Sequence, residues 1–434
     1  MTWVQRFLGS WEGLVGGTVK RVLVTATTLV ISVSALAQNT ATLRDRDRDL
    51  EGAKKVVGEI QKANIHSGRF YMFSRIRLSD AGFSEDVYLP TGDVRGGINL
   101  RIEAPNRLYF VPHRKVVFSF DATPAYSFLG TRRTSTAGVK SKTGQFDYAL
   151  RADAHFLFNH LYLDVYGMQN DQLRAQVADI NRLATLRENE FGAGGEMKYS
   201  SRTSAFFTAR FRDMSFPQGR VQPSDTPVNL LDRTEKNGRV SLHHKTFPLT
   251  TLFLAAEGSK YEFDRATFKD SSRRYAGAGF IRASGRTTLR VEAGQTQLDF
   301  EDPAQLDFSG VTADASLSRA TGRWTTMLGA TRDLGFSIMQ SNNYYISNSA
   351  HLALNYVATR KLTLRGGAAG ERDDYEVAVG GIKRRDTLTF SSIGFIYAFS
   401  RLSTGVDVGW FTRESNFTED DSGIRWVLHL SFTP

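Results

Sequence analysis

The sequence predicts an all-β protein, a single up-and-down antiparallel transmembrane β-barrel of about eighteen strands, with sixteen as the alternative count. Three observations lead there: long stretches that alternate apolar and polar residues, connections that are short and long in turn, and an export leader at the N-terminus. Average composition does not decide the matter. With 41% hydrophobic residues and a mean hydropathy of -0.31, the chain has the average of a water-soluble protein. A barrel that interleaves lipid-facing and lumen-facing residues has the same average, so periodicity must decide.

The elements follow in chain order. Lys20 and Arg21 precede VLVTATTLVISVSALA, which closes on Ala35-Leu36-Ala37 before Gln38. A basic start, an apolar stretch and a small-residue exit form a secretory signal with an A-x-A cleavage site. A membrane-spanning helix wants about twenty apolar residues and does not explain that exit. Residues 1–37 are therefore expected to be a removable signal peptide. The sequence has no cysteine, which excludes a lipid-attachment residue, a disulfide framework and thiolate chemistry.

Next comes RDRDRDLEGAKKVVGEIQKA, where Leu50, Ala53, Val56, Val57 and Ile60 fall at helical spacing. Residues 38–68 are expected to be a periplasmic N-terminal segment carrying this short amphipathic helix. It reads either as a periplasmic contact or partial plug, or as a solvated leader with a frayed helix.

Residues 69–434 are expected to form the barrel. In FDYALRADAHFLF, Phe146, Tyr148, Leu150, Ala152, Ala154, Phe156 and Phe158 oppose Asp147, Arg151, Asp153 and His155. In TSAFFTARFR, Ala205, Phe207, Ala209 and Phe211 oppose Thr208, Arg210 and Arg212. GVTADASLS sets Val311, Ala313, Ala315 and Leu317 against Thr312, Asp314, Ser316 and Ser318, and VDVGWFTRE sets Val406, Val408 and Trp410 against Asp407, Gly409 and Arg413. Period two is the signature of a strand with one apolar and one polar face. About nine to eleven residues cross a tilted bilayer strand, against about five or six in a globular strand. Trp324, Trp410 and Trp426 near strand ends suit an interfacial girdle.

Short connections lie near Asn159, at 200–203, 284–285, 320–322, 358–360 and 400–401; long polar ones lie at 80–95, 130–144, 170–189 and 215–235. That alternation puts periplasmic turns on one side and extracellular loops on the other. The strand count is blurred in GGINLRIEAPNRLYFVPHRKVVFSF and in LTFSSIGFIYAFS. On the closing strand, Ile424, Trp426, Leu428, Leu430 and Phe432 form an apolar stripe that would face lipid. Outer-membrane lipid, lipopolysaccharide and the barrel-assembly machinery are the partners that such a wall implies. Thr433 and Pro434 follow Phe432, whereas such barrels commonly end on an aromatic residue.

A repeated hairpin runs through KYSSRTSAFFTARFRDMSF, NYVATRKLTLRGGAAGERDDYE and YAFSRLSTGVDVGWFTRESNF. A tight polar turn with an arginine joins two long strands, and an Arg-Asp or Arg-Glu pair marks the far end. In this design the chain resembles the porin-like outer-membrane barrels that accompany exopolysaccharide operons in Gram-negative bacteria. The resemblance implies a conduit exporting a surface polysaccharide, with a periplasmic polysaccharide-export protein docking on the short-turn side through residues 46–63.

The residues themselves leave the cargo open. The expected lumen face collects Arg151, Asp153, Arg210, Arg212, Arg290, Glu292, Asp314, Arg365, Asp407, Arg413 and Arg425. Sixteen to eighteen strands enclose an aqueous channel. Arginines offer multi-donor contacts to an acidic polysaccharide or another anion, or they merely pair with carboxylates across neighbouring strands. A general or anion-selective diffusion porin for small solutes therefore stands beside export. A constriction loop in the lumen would favour diffusion, and 170–189 and 215–235 are the candidates for it.

No cofactor or metal is expected. There is no G-x-S-x-G, P-loop or H-E-x-x-H signature of an enzyme. His243 and His244 on one strand would face opposite ways. GAGGEM lacks the strand-then-helix context of a phosphate cradle, and Asn416-Phe417-Thr418 matches a glycosylation acceptor by pattern only. The net charge of +10 and pI near 9.6 raise nucleic-acid binding. The basic residues are spread singly along strands, which argues against it.

Overall fold

A computed structural model describes residues 53–84, 94–133, 141–175, 183–217, 228–338, 342–379, 382–416 and 420–433. The expected signal peptide and residues 38–52 lie outside this range.

Period two is the conformation that the chain adopts along most of this length. Among the described residues, helix α1 (Ala53–Ile60) precedes β1 (Ile65–Ser67), β2 (Phe70–Ser74), β3 (Ile76–Ser84), β4 (Val94–Glu103), β5 (Asn106–His113) and β6 (Val116–Arg133). β7 (Ser141–Leu157), β8 (Leu161–Ala175), β9 (Leu183–Lys198), β10 (Thr203–Ser215), β11 (Arg233–Phe247), β12 (Thr250–Phe263) and β13 (Ser271–Ala283) follow. The wall continues with β14 (Thr287–Phe300), β15 (Phe308–Thr321), β16 (Trp324–Phe336) and β17 (Tyr344–Val357). It ends with β18 (Leu362–Val379), β19 (Ile382–Ala398), β20 (Leu402–Ser415) and β21 (Asp421–Phe432). From β6 onward each strand pairs antiparallel with the next. β21 then pairs with β3, from Phe432↔Ile76 to Arg425↔Ser84, and closes the sheet. Closure removes the sheet edges, the condition under which strands cross a membrane.

The blurred count has a local cause. β6 pairs with β4 along one half (Glu103↔Ala125) and with β5 along the other (Asn106↔Ala122). β4 and β5 are thus one strand, broken at Ala104-Pro105 because Pro105 has no N–H to donate. β2 and β3 are one strand as well, broken at Arg75, whose N–H donates to the Pro105 carbonyl at 3.1 Å. Of twenty-one strands in the sheet, β2 and β5 are extensions and β1 is a short flap. Eighteen therefore form the closed wall among the described residues.

The flap finishes the seam. β21 covers its partner only as far as Ile76, and β1 takes over beside β2 (Ile65↔Met72). The tight turn between them holds Gly68 at φ 58°, a left-handed conformation that glycine adopts without strain. The Asn64 side chain bonds the Ser74 backbone through both its oxygen (3.0 Å) and its nitrogen (3.3 Å).

At the short-turn end, Gly322 (φ 58°) and Arg323 join β15 to β16 in a two-residue loop. The helix sits at this end too. Its Val56 is fully buried and Ile60 nearly so, in a cluster with Tyr71, Tyr109, Val111, Val117 and Leu157. A solvated leader would leave these residues exposed. The larger apolar core lies at the opposite end, among the long connections.

Candidate functional site

The two faces of the wall separate by burial. On β12, Leu252, Leu254 and Ala256 are exposed while Phe253, Ala255, Glu257, Ser259, Tyr261 and Phe263 are buried. On β21, Ile424, Trp426, Leu428, Leu430 and Phe432 are all exposed, and Arg425, Val427 and His429 point the other way. In a closed barrel the buried set faces inward, so the inner face carries the charge and the outer face the apolar residues.

Within this lumen lies an element that the sequence did not disclose. The β15–β16 pairing ends at Ala313↔Arg332, yet β16 and β17 stay paired as far as Phe336↔Tyr344. The hairpin tip thus parts from β15 and bends inward, while β17 keeps its pairing with β18 as far as Tyr345↔Tyr375. At the parting point Arg332 Nε donates to the Val311 carbonyl (3.2 Å) and Nη1 to Asn348 Oδ1 (2.7 Å). Residues 333–338 and 342–347 are buried whichever way their side chains point, which a hairpin achieves only when surrounded.

Its contacts come from several parts of the wall. Asp333 receives Arg273 Nη2 of β13 at 2.8 Å, with both side chains fully buried. Lys269 Nζ donates to the Ser337 carbonyl. Phe336 meets Tyr261 and Phe263 edge-on at 5.1 and 4.8 Å, Tyr344 packs near Phe300 and Phe308, and Tyr345 lies against Tyr375. Among the described residues, the expected constriction segments add Leu186 from 170–189, and Phe216 and Leu231 from 215–235, to the apolar core around the hairpin. Residues 176–182 and 218–227 of those segments lie outside the described range. A backbone bond from Phe216 N–H (2.6 Å) reaches Asp232, whose carboxyl burial pushes above the usual range although this bond opposes the shift.

The expected lumen residues are brought into ion-pair clusters along the inner face. Arg151 Nη2 lies 2.6 Å from Asp153, and its guanidinium sits 4.4 Å above the Tyr166 ring. Arg212 reaches Glu188, Glu190 and Glu235 at 2.9, 3.0 and 3.4 Å, and buried Arg210 lies 4.0 Å from Glu190. Glu292 receives Arg290 (3.3 Å) and Arg239 (2.7 Å). Asp314 accepts from Thr331 (3.0 Å). Arg365 and His429 share Asp407, and Arg413 joins Arg384 on Asp386. Arg425 lies beside Gly409 on the same inner face. Sequence reasoning missed Arg101, Arg107, Arg233, Arg239, Arg273 and Arg384, which alternate in the same way along their strands.

A model of the family described as "Putative beta-barrel porin 2" matches residues 175–427, more than half of the chain. The chain belongs to this porin family. It is an outer-membrane β-barrel channel. No curated protein matches its sequence. Among solved structures, the porin is similar to the outer membrane protein OpdK of Pseudomonas aeruginosa, at 13% identity and a TM-score of 0.47, with 84% of this chain and 99% of the other covered. It is similar to P. aeruginosa OccK7 (OpdD), at 11% identity and 0.48 over 83% and 99%. It is also similar to a BenF-like porin of Pseudomonas fluorescens Pf-5, at 13% and 0.47 over 84% and 99%.

One polar cluster on the porin's inner wall has the donor set of a metal site. Asp153, His155 and Asp164 are buried and present ligand atoms within 4.8 Å of one another. The cluster is already braced: Ser119 Oγ donates to Asp153 (3.0 Å), and Arg151 lies 2.6 Å from Asp153 and 3.8 Å from Asp164. A divalent cation would have to share these carboxylates with a guanidinium, so the site fits a cation poorly. Ser119, His155 and Asp164 also have relay-like spacings of 3.2 and 3.0 Å. The Ser119 hydroxyl also donates to the Asp153 carboxylate, which sets a negative charge beside it where a substrate oxyanion would need hydrogen-bond donors.

His243 stacks on Phe253 and meets Phe206 at a tilt, while His244 bonds Thr203 Oγ1 from the opposite face. GAGGEM is strand β9, where the Tyr166 ring lies so close to Gly192 that a Cβ there would meet it at 2.4 Å.

Proposed function

We propose that this porin is a passive diffusion channel for small polar solutes, narrowed by its own β16–β17 hairpin. The observation that carries the reading is the burial of residues 333–338 and 342–347 inside the wall. A polymer conduit needs an open path along the axis, whereas a small solute needs only a polar gap beside a narrow point. The lumen arginines support only a weak anion preference, because carboxylates on neighbouring strands hold most of them, as an ion-paired wall requires. Weak contact at many sites suits passage, since tight binding would stop release.

In the same reading residues 1–37 are removed on export, and the stripe Ile424, Trp426, Leu428, Leu430 and Phe432 meets outer-membrane lipid. The barrel-assembly machinery handles the closing strand, and lipopolysaccharide meets the long loops. Deleting the gene tests the function. Slowed uptake of small solutes with intact surface polysaccharide, restored by a plasmid copy, is the expected result; lost polymer with unchanged uptake would establish export instead.

A further inference from the structure

We infer that helix α1 is a resident plug of the short-turn mouth, a second size filter in series with the hairpin; this rests on reading the lumen as a solute path. The helix does not lie outside the barrel. Val56 and Ile60 are seated on Tyr109, Val117 and Leu157, which share the inner face with Arg107, Ser119 and His155 by strand alternation. Phe110, Phe118 and Phe120, of opposite parity, form the outer face, where Phe118 and Phe120 are exposed.

A polar clasp fixes the helix from above. Glu59 accepts from Arg107 Nη1 and from the Tyr109 hydroxyl (3.1 Å). The same Arg107 holds Asp121 across the β5–β6 pair, through Nε at 2.5 Å and Nη2 at 2.7 Å. One guanidinium thus ties the plug to the wall. An eight-residue helix anchored by two apolar side chains and one partly exposed clasp is a weak attachment, because isolated helices this short do not persist in water. The seat holds the helix in shape as well as in place. An amphipathic helix of this pattern needs its apolar face covered, and the barrel mouth covers it. Of the 46–63 segment, Val56 and Ile60 thus have their side chains covered by the barrel itself, and residues 46–52 lie outside the described range.

The plug sets how large a solute passes the short-turn mouth, and Val56 and Glu59 are its specificity-determining residues. A helix with its side chains is about 10 Å across, so releasing it should raise conductance by roughly twofold or more. The test uses the full chain in planar bilayers, as wild type, Val56→Asp and Glu59→Gln, each with the native hairpin and with 334–345 replaced by a short turn. Heat-dependent gel mobility checks that each barrel is folded. A further rise on releasing the helix in the hairpin-trimmed protein, together with passage of larger oligosaccharides in liposome swelling, is the expected result. If trimming the hairpin raises conductance and both helix variants add nothing, the plug is overturned and the channel stands. If no folded variant conducts, the channel reading itself fails.

Discussion

At the scale of single residues, buried charge that holds the hairpin behaves differently from charge that lines the path. Arg273 and Asp333 are both fully buried, and removing one partner strands the other. Asp333→Asn should therefore cost about 3–5 kcal/mol, read as a lower unfolding midpoint of the detergent-solubilised barrel. Conductance should rise in the same variant, because the hairpin loses an anchor. Outward residues follow a different rule. Leu428→Arg places a guanidinium among exposed apolar neighbours, for which about 2–4 kcal/mol is expected near mid-membrane. Urea titration of lipid-reconstituted protein would show it, and an unchanged midpoint would mean that this stripe does not meet lipid. The outward stripe was legible because alternation needs only the identity of each residue. The partners of the lumen arginines were not, since Arg365 meets Asp407 across two strand boundaries and register is not written in either strand alone.

At the scale of elements, legibility follows the simplicity of the environment. Strands with one wet and one apolar face announce themselves, and β7, β10, β15 and β20 lie where alternation puts them. The infolded hairpin does not: DLGFSI alternates as an ordinary wall strand would, with Leu334, Phe336 and Ile338 opposite Asp333 and Ser337, and nothing in that pattern shows that both faces are covered. β19 was blurred because Phe390 points inward and packs over Gly409, where a Cβ would come within 2.8 Å of the ring. The helix was legible from its spacing, but nothing in an amphipathic stripe names what it packs on. Deleting 334–345 should open the lumen while leaving the β15–β16 pairing from Ala313↔Arg332 to Thr321↔Trp324 intact. Unchanged solute size limits in that variant would place the narrowest point elsewhere.

At the scale of the whole molecule, the wall is a closed cylinder whose inner face is close to charge-balanced in pairs. Selectivity should therefore be governed by size more than by sign. Liposome swelling with neutral and anionic solutes of equal size should differ by less than about tenfold, the equivalent of about 1.4 kcal/mol. A larger ratio would show that the arginines act as an anion ladder despite their carboxylate partners. The measurement that meets the central claim most directly is the single-channel conductance of the wild-type porin beside the protein lacking residues 334–345, in the same bilayer and salt. A small wild-type conductance that rises on trimming is the result this structure predicts; a wide wild-type pore that trimming leaves unchanged would contradict it.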